Sequence, residues 1–268
     1  MHRTLFSRAG RSLLLILAAS ALSILLMSGC SPKKATRVLV LYENGGHHKP
    51  FTDVFVPWLS EVAEDNGMEF TFIKRTDVID KEYLSGFDVF LQLDYPPYTW
   101  PEKAMEAFTE AIEGGTIGWV GMHHATLLGE FDGYPMWEWF SDFLGGIRFQ
   151  NYIADLSDGT VHIEDPLHPA VKGLDTSFVI EDDEWYTYDV NPRSGKGIHV
   201  IATVDEGSYT LDTQVKMGDH PVIWTNEDKA ARNIYFQFSH SPKLLENNAY
   251  KTLLLNSIKW AAGKDSKK

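Results

Sequence analysis

The first half of the chain alternates strand-like segments with segments of helical periodicity. Arg37–Tyr42 is a continuous run of apolar, branched residues, which favours a strand buried on both faces of a sheet. Further strands are predicted at Glu69–Ile73, Asp88–Leu93 and Thr116–Val120. Between them, apolar residues follow the i, i+3, i+4, i+7 spacing of one helix face at 51–66 and 101–114. Strands that alternate with helices predict a doubly wound α/β domain with a parallel sheet between two helical layers.

The second half of the chain has a different predicted secondary structure, with many strand-like segments and little helix. These segments lie at 160–164, 177–188, 198–204, 221–226 and 233–238. They predict β-rich additions, some of them antiparallel extensions of the same sheet. A last helix is predicted over 248–262. A single domain is therefore expected over 37–263, a length that one large α/β core accommodates.

The N-terminus has the layout of an export signal. Three arginines precede an apolar segment, Leu13–Met27, which is short for a transmembrane helix and is followed by Ser28, Gly29 and Cys30. The pattern LLMSGC resembles a bacterial lipoprotein signal, which predicts cleavage after 1–29 and lipidation of Cys30. A tether over 30–36 and a polar tail over 264–268 would flank the domain. The alternative is an ordinary secretory signal followed by a chance cysteine.

Composition narrows the classes of function. Cys30 is the only cysteine, so once it is acylated the chain has neither a disulfide nor a catalytic thiol. Removal of the signal leaves 21 basic residues against 37 acidic ones, a formal charge of −16. Such a surface repels nucleic acid and anionic lipid headgroups, so membrane attachment would depend on the lipid alone. A neutral or cationic ligand is favoured.

Imidazoles and other polar groups follow several of the predicted strands. They are His47 and His48 after the first strand, Asp94 and Tyr95 after the third, His123 and His124 after the fourth, and His240 after the strand at 233–238. Ligands of open parallel sheets bind outside the carboxyl ends of the strands. A single histidine at a strand end is more often a solvated or capping side chain. Together, these residues predict one site at one edge of the sheet.

The segment GMHHA, 121–125, has the spacing of a nucleophile elbow. In that geometry a sharp turn from strand to helix presents its central residue, here His123, at the top of the sheet. An imidazole cannot replace the serine or cysteine nucleophile of acyl transfer, but it can act as general acid or base, hydrogen-bond donor or metal ligand.

Several segments, in order, resemble the trehalose-utilisation (ThuA-like) family over 38–263. The segments are GWVGMHHAT, DPLHPAVKGL, EDDEWY, PVIWT, IYFQFSH and IKWAAG. The resemblance implies a flavodoxin-like, three-layer and mostly parallel fold of the class I glutamine amidotransferase type. His123 stands where those enzymes carry the elbow cysteine, and His240 matches their strand-end histidine, so glutaminase activity is lost. What the resemblance implies instead is carbohydrate metabolism, with a disaccharide or a keto-sugar as ligand.

The acidic and aromatic segment EDDEWY matches the family and has the composition of a sugar site. Such sites combine carboxylates that hold hydroxyl groups with aromatic rings that stack on pyranose faces. We therefore predict Glu184 as a catalytic residue together with His123 and His240. The predicted substrate-binding residues are His47, His48, Asp94, Tyr95, His124, Asn151, Trp185 and Tyr186. A solvated acidic turn is the alternative for this segment, and it serves equally well for Glu181, Asp182 and Asp183.

The sequence motifs do not identify a cofactor. No Gly-x-Gly-x-x-Gly motif follows the first strand, so nicotinamide is not expected. A divalent metal held by His48, His123, His240 and Glu184 is an alternative, although no short-spaced ligand pair marks it. Family members usually carry a histidine a few residues beyond Gly145-Gly146. Here Asn151 is the nearest polar match, and a metal site that used that histidine would lose a ligand.

Three hypotheses follow from these residues. The first is an exported enzyme, a hydrolase, lyase or isomerase, that acts on a sugar by His/Glu acid–base chemistry. The second is a non-catalytic carbohydrate-binding lipoprotein, and the third is a degenerate amidotransferase scaffold retained for protein contacts. In the first two, a small carbohydrate is the ligand and the lipid on Cys30 anchors the chain to a bacterial membrane, on the periplasmic side or at the cell surface. Oligomeric state is not indicated.

Overall fold

The computed structural model describes residues 34–43 and 45–263, and its compact unit begins at Ala35. The predicted signal, the predicted lipidation site Cys30 and the polar tail lie outside the described residues. Within the described part of the chain, no helix is long and apolar enough to cross a membrane. The strands are β1 (Thr36–Tyr42), β2 (Met68–Ile73), β3 (Val89–Leu93), β4 (Gly118–Met122), β5 (Phe149–Tyr152), β6 (Ser157–Ile163), β7 (Ser177–Asp183), β8 (Tyr186–Tyr188), β9 (Ile198–Asp205), β10 (Pro221–Asn226) and β11 (Asn233–Phe236). The helices are α1 (Lys49–Asn66), α2 (Lys81–Leu84), α3 (Glu102–Glu113), α4 (Glu138–Phe143) and α5 (Asn248–Ala261).

In the described part of the chain, nine strands form one sheet in the order β2-β1-β3-β4-β11-β10-β9-β6-β7. The first five strands in that order are parallel to one another. The remaining pairs are antiparallel, and β5 pairs separately with β8. The predicted doubly wound α/β fold with β-rich additions is confirmed, and the additions extend the same sheet. Chain order reverses between β1 and β3, which is where sheets of this kind bind ligands.

Side chains of β1 show why the sheet is covered on both faces. Successive side chains of a strand point to opposite faces, so a continuous apolar run needs two partners. Val38 and Val40 pack in one core with the apolar faces of α1 and α5. Leu39 and Leu41 pack in a second core with α3 and α4. These two cores make the three layers that the sequence pattern predicts.

Trp119 on β4 fixes the central strand from one side. Its ring is fully buried and packs against Phe143 and Phe140 at centroid distances of 5.1 and 5.9 Å. Its Nε1 donates a hydrogen bond to Gln92 Oε1 on the neighbouring strand at 3.1 Å. A Cβ at Gly121 would lie 2.0 Å from this ring, so only glycine fits beside it. The strand that carries His123 is therefore held by close packing.

Candidate functional site

His123 occupies a strained turn at the carboxyl end of β4. Its φ of 45° is unusual for a residue with a side chain, and such strain is commonly found at functional sites. The backbone stays in place because the His123 carbonyl accepts hydrogen bonds from Thr126 Oγ1 and Tyr235 Oη, both at 3.0 Å. The elbow leads into a short 3₁₀ turn, His123–Thr126, and not into the expected helix. Its imidazole is fully buried at the sheet edge.

The hydrogen bonds of His123 define its tautomer. Nδ1 lies 2.9 Å from the carbonyl oxygen of Gln237, which can only accept, so Nδ1 is the donor. Nε2 therefore carries a lone pair, and it lies 3.0 Å from Tyr186 Oη and 3.2 Å from Glu184 Oε2. Burial, followed by the charges of nearby histidines, lowers the pKa of His123 well below its usual value, so the ring is neutral.

The side chain of Glu184 reaches Nε2 of His123 because the predicted strand is interrupted at this residue. The sequence predicted one strand over 177–188, whereas the structure ends β7 at Asp183 and starts β8 at Tyr186. Trp185 lies fully in the core, and its Nε1 donates to the Ser157 carbonyl at 2.8 Å. The predicted sugar-stacking role of Trp185 is thus wrong. Glu184, the preceding residue, instead lines a cavity at the sheet edge.

His48 and His240 complete a cluster of three imidazoles. The two rings are 4.7 Å apart, and they lie 5.0 and 5.6 Å from the ring of His123. His240 Nδ1 is 3.7 Å from Glu184 Oε2. Burial lowers the pKa of each outer histidine to about 4, so these rings are also neutral near pH 7. Residues that are far apart in the chain are thus brought together at one edge.

Sequence reasoning missed Glu43, which orients two of the histidines. Its Oε2 lies 3.1 Å from His124 Nδ1 and 3.3 Å from His48 Nδ1. Burial raises the pKa of Glu43, but the hydrogen bonds of His124 and His48 outweigh that effect and lower it to about 2. Glu43 is therefore ionised. The signal for it was present, because Glu43 is the first residue after β1.

A solvated turn is the alternative that the sequence allows for Asp183, but the structure buries this residue fully. Its carboxylate accepts hydrogen bonds from the backbone N–H groups of Glu184, His240 and Ser241 at 2.9, 3.2 and 3.4 Å. Burial raises the pKa of Asp183 to about 7 in spite of these bonds. Asp183 therefore ties the segment that carries Glu184 to the segment that carries His240.

Asp183→Ala is expected to lower the free energy of unfolding by about 3 kcal/mol, because it leaves buried N–H donors without an acceptor. The raised pKa means that the folded state holds the Asp183 proton more tightly than the unfolded chain does. Its contribution is thus lost as pH rises through 7. Urea unfolding should show a larger difference between wild type and variant at pH 6 than at pH 8.5. The exposed neighbour Glu181→Ala is the control, and equal losses in the two variants would contradict the clamp.

A cavity of about 290 Å³ opens over the cluster. Its size is near the lower end of the ~300–1,000 Å³ typical of small-ligand sites. The lining residues are Glu43, Gly46, His47, His48, His124, Leu127, Phe149, Tyr152, Glu184, Tyr186 and His240. Aromatic rings form part of the wall, and two carboxylates and several imidazoles provide polar groups. His123 contacts this set from beneath through Tyr186 and Glu184.

Three residues with predicted site roles, and His168 of the DPLHPAVKGL segment, lie elsewhere. Asp94 is fully buried and does not line the cavity, so its expected contact with substrate is wrong. Tyr95 packs against the second core, and Asn151 is exposed on β5, where its Oδ1 accepts from the N–H of Tyr152; neither lines the cavity. His168 caps a turn and packs on Trp260, near the opposite edge of the sheet.

The three imidazoles of the cluster and the carboxylate of Glu184 together have the composition of a metal site. His48, His123, His240 and Glu184 each offer one ligand atom, and these atoms lie within 4.8 Å of one another. Glu43, His48 and His124 form a second such group among the described residues.

Comparisons with known proteins agree with this architecture. The model of the family described as "ThuA: Trehalose utilisation" matches residues 37–261. A putative ThuA-like protein from Bacteroides uniformis is 25% identical, with a TM-score of 0.77 over 90% of this chain and 96% of that one. A putative ThuA-like protein from Parabacteroides merdae is 19% identical, with a TM-score of 0.64 over 88% and 93%.

A more distant likeness concerns the fold alone. The glutaminase domain of CTPS from Trypanosoma brucei, solved with bound acivicin, is 12% identical, with a TM-score of 0.53 over 87% of this chain and 96% of that one. It supports the amidotransferase-like architecture that the elbow suggests. A search of curated proteins finds no significant match.

Proposed function

Because the chain belongs to the trehalose-utilisation (ThuA) family, we propose that it is an enzyme of carbohydrate metabolism that acts on a disaccharide or a keto-sugar. The observation that carries the proposal is the convergence of His123, His240 and Glu184 beneath a cavity of small-ligand size. These three residues are the proposed reacting groups, and the reaction is a hydrolysis, an elimination or an isomerisation.

The walls of the cavity suit a sugar. Phe149, Tyr152 and Tyr186 present aromatic rings, which pack on the C–H faces of pyranose rings. Glu43 and Glu184 are carboxylates that accept hydrogen bonds from hydroxyl groups. A neutral, polyhydroxylated ligand also fits the negative charge of the chain, which disfavours anionic ligands.

The chemistry follows from the tautomer of His123. Its neutral Nε2 can accept a proton from a hydroxyl group, and the adjacent Glu184 carboxylate stabilises the imidazolium that results. His240, on the other side of Glu184, is placed to share or return the proton. A glutaminase reaction is not part of the proposal, because the elbow carries an imidazole and the described residues include no cysteine.

Incubation of the purified protein with trehalose, other disaccharides and their 3-keto forms tests this function. We expect turnover, detected by NMR of the products, that His123→Asn abolishes; asparagine tolerates the positive φ at this position. His162→Asn, on the exposed side of β6, is the control and should keep full activity. Sugar binding without turnover in either protein would favour a non-catalytic binding role and overturn the enzyme.

We further propose export and anchoring through Cys30, on the strength of the LLMSGC pattern alone. In cells given a labelled fatty acid, the wild-type chain is expected to carry label and to sediment with membranes. Cys30→Ser should lose the label and move to the soluble fraction. An unlabelled wild-type chain, or a mature N-terminus elsewhere than Cys30, would contradict the anchor.

A further inference from the structure

Four possible ligand groups meet beneath the cavity. Since Nδ1 of His123 donates to the Gln237 carbonyl, the neutral ring directs the lone pair of Nε2 toward the Glu184 carboxylate, 3.2 Å away. A lone pair and a carboxylate oxygen at this distance repel each other unless a cation lies between them or a donor screens them. The Tyr186 hydroxyl, 3.0 Å from Nε2, can donate to only one of the two.

Two further nitrogens point into the same space without a partner. His48 is 4% exposed, and its Nε2 is buried with no hydrogen-bond partner. Its other nitrogen, Nδ1, lies 3.3 Å from the carboxyl oxygen Oε2 of Glu43, so in the neutral ring Nδ1 is the donor to this acceptor and Nε2 has the lone pair. His240 Nδ1 is also buried and has no hydrogen-bond partner. A buried polar atom that makes no bond is costly and requires an explanation.

The spacing of these atoms matches tetrahedral coordination. Zinc binds imidazole nitrogen and carboxylate oxygen at ~2.0–2.2 Å, which places neighbouring ligand atoms of a tetrahedron about 3.4 Å apart. Glu184 Oε2 lies 3.2 Å from His123 Nε2 and 3.7 Å from His240 Nδ1. All four ligand atoms lie within 4.8 Å of one another, so small rotations of the side chains would close the shell.

We propose that His48, His123, His240 and Glu184 bind one divalent transition-metal ion, with zinc as the best fit to three imidazoles and one carboxylate. The surroundings are those of a metal site, in which outer groups orient each ligand. Glu43 holds the ring of His48, the Gln237 carbonyl holds that of His123, and Asp183 binds the backbone N–H of His240.

The metal deepens the proposed function, and its catalytic part rests on that function. His48, His240 and Glu184 line the cavity, so the ion would be open to a ligand on that side. A bound zinc ion polarises carbonyl groups, which favours a keto-sugar as the substrate. With a metal bound, His123 would be a ligand and no longer the general base, and the Glu43–His124 pair at the cavity wall would be left to transfer protons.

Titration of the EDTA-dialysed full-length protein with zinc chloride, followed by calorimetry, tests the site. We expect one ion per chain, and we expect His48→Gln and His240→Gln each to abolish one-to-one binding. Glu43→Gln should weaken binding about 10–100-fold, as removal of an outer partner does. His199→Gln is the matched control, since this histidine pairs with Asp165 and does not line the cavity.

A second measurement guards against variants that fail to fold. Cobalt(II) in place of zinc should give the visible absorption of a tetrahedral site in the wild type and lose it in His48→Gln, while both proteins keep the same metal-free unfolding curve. If the wild type binds no zinc, or binds it as well after His48→Gln and His240→Gln, the site is refuted. Sugar turnover by protein shown to be metal-free would refute the catalytic role of the metal, but not the enzyme. Stoichiometric zinc without turnover would refute the enzyme, but not the site.

Discussion

Glu184→Gln is expected to lower kcat/KM for a sugar substrate by about 10³-fold, within the range that loss of a catalytic acid or base produces. The substitution keeps the size of the side chain and removes its negative charge. That charge lies 3.2 Å from His123 Nε2 and 3.7 Å from His240 Nδ1, and it supports either a proton relay or a metal ion between them. Steady-state kinetics on the sugar that the wild type turns over would measure the loss.

Glu181→Gln provides the matched control for this variant. Glu181 lies on β7, in the same acidic segment as Glu184, but its side chain is exposed and outside the cavity. We expect its kcat/KM to equal that of the wild type within about twofold, since surface substitutions have small effects. If Glu184→Gln retained a tenth or more of wild-type activity, Glu184 would not be a reacting group.

Trp119→Ala is expected to lower the free energy of unfolding by about 3–5 kcal/mol, the cost of truncating a buried aromatic side chain in a core. The indole is fully buried against Phe140 and Phe143, and its removal also leaves Gln92 Oε1 without its donor. A loss of this size is a large part of the stability of a typical domain. Urea or thermal unfolding would measure it.

Trp139→Ala is the control that distinguishes the effect of removing a buried tryptophan from the effect of removing a partly exposed one. Trp139 packs on Phe143 as well, but it is partly exposed, and its Nε1 reaches Glu113 at the surface. We expect a loss well below that of Trp119→Ala, because less apolar area leaves water at this position. Equal losses would show that the core beneath β4 contributes less than its packing implies.

The fold could be predicted well from sequence because its signals are local and repeated. Segments rich in apolar residues predicted β1 to β4, and the helical spacing over 51–66 predicted α1. This helix ends at Gly67, which adopts the left-handed conformation. The rule that parallel strands end at one edge also predicted that the histidines would meet. It required only the order of strands along the chain.

The details of the acidic segment could not be predicted in the same way. Asp183 and Glu184 are neighbours of similar chemistry, and only the break between β7 and β8 buries one as a backbone clamp and directs the other to the cavity. The aromatic composition of this segment favours a sugar-stacking role for Trp185, but its side chain enters the core while that of Glu184 lines the cavity. Glu43 lacked any motif, although its position after β1 was informative.

A crystal structure of the protein soaked with trehalose or its 3-keto form would test the central claim most directly. The claim predicts a sugar in the cavity lined by Glu43, Tyr152 and His240, with a hydroxyl or carbonyl oxygen within hydrogen-bond distance of Glu184. Sugar bound instead in the hollow beside Arg232 and Trp260 at the opposite edge, with the histidine cluster free of ligand, would contradict it.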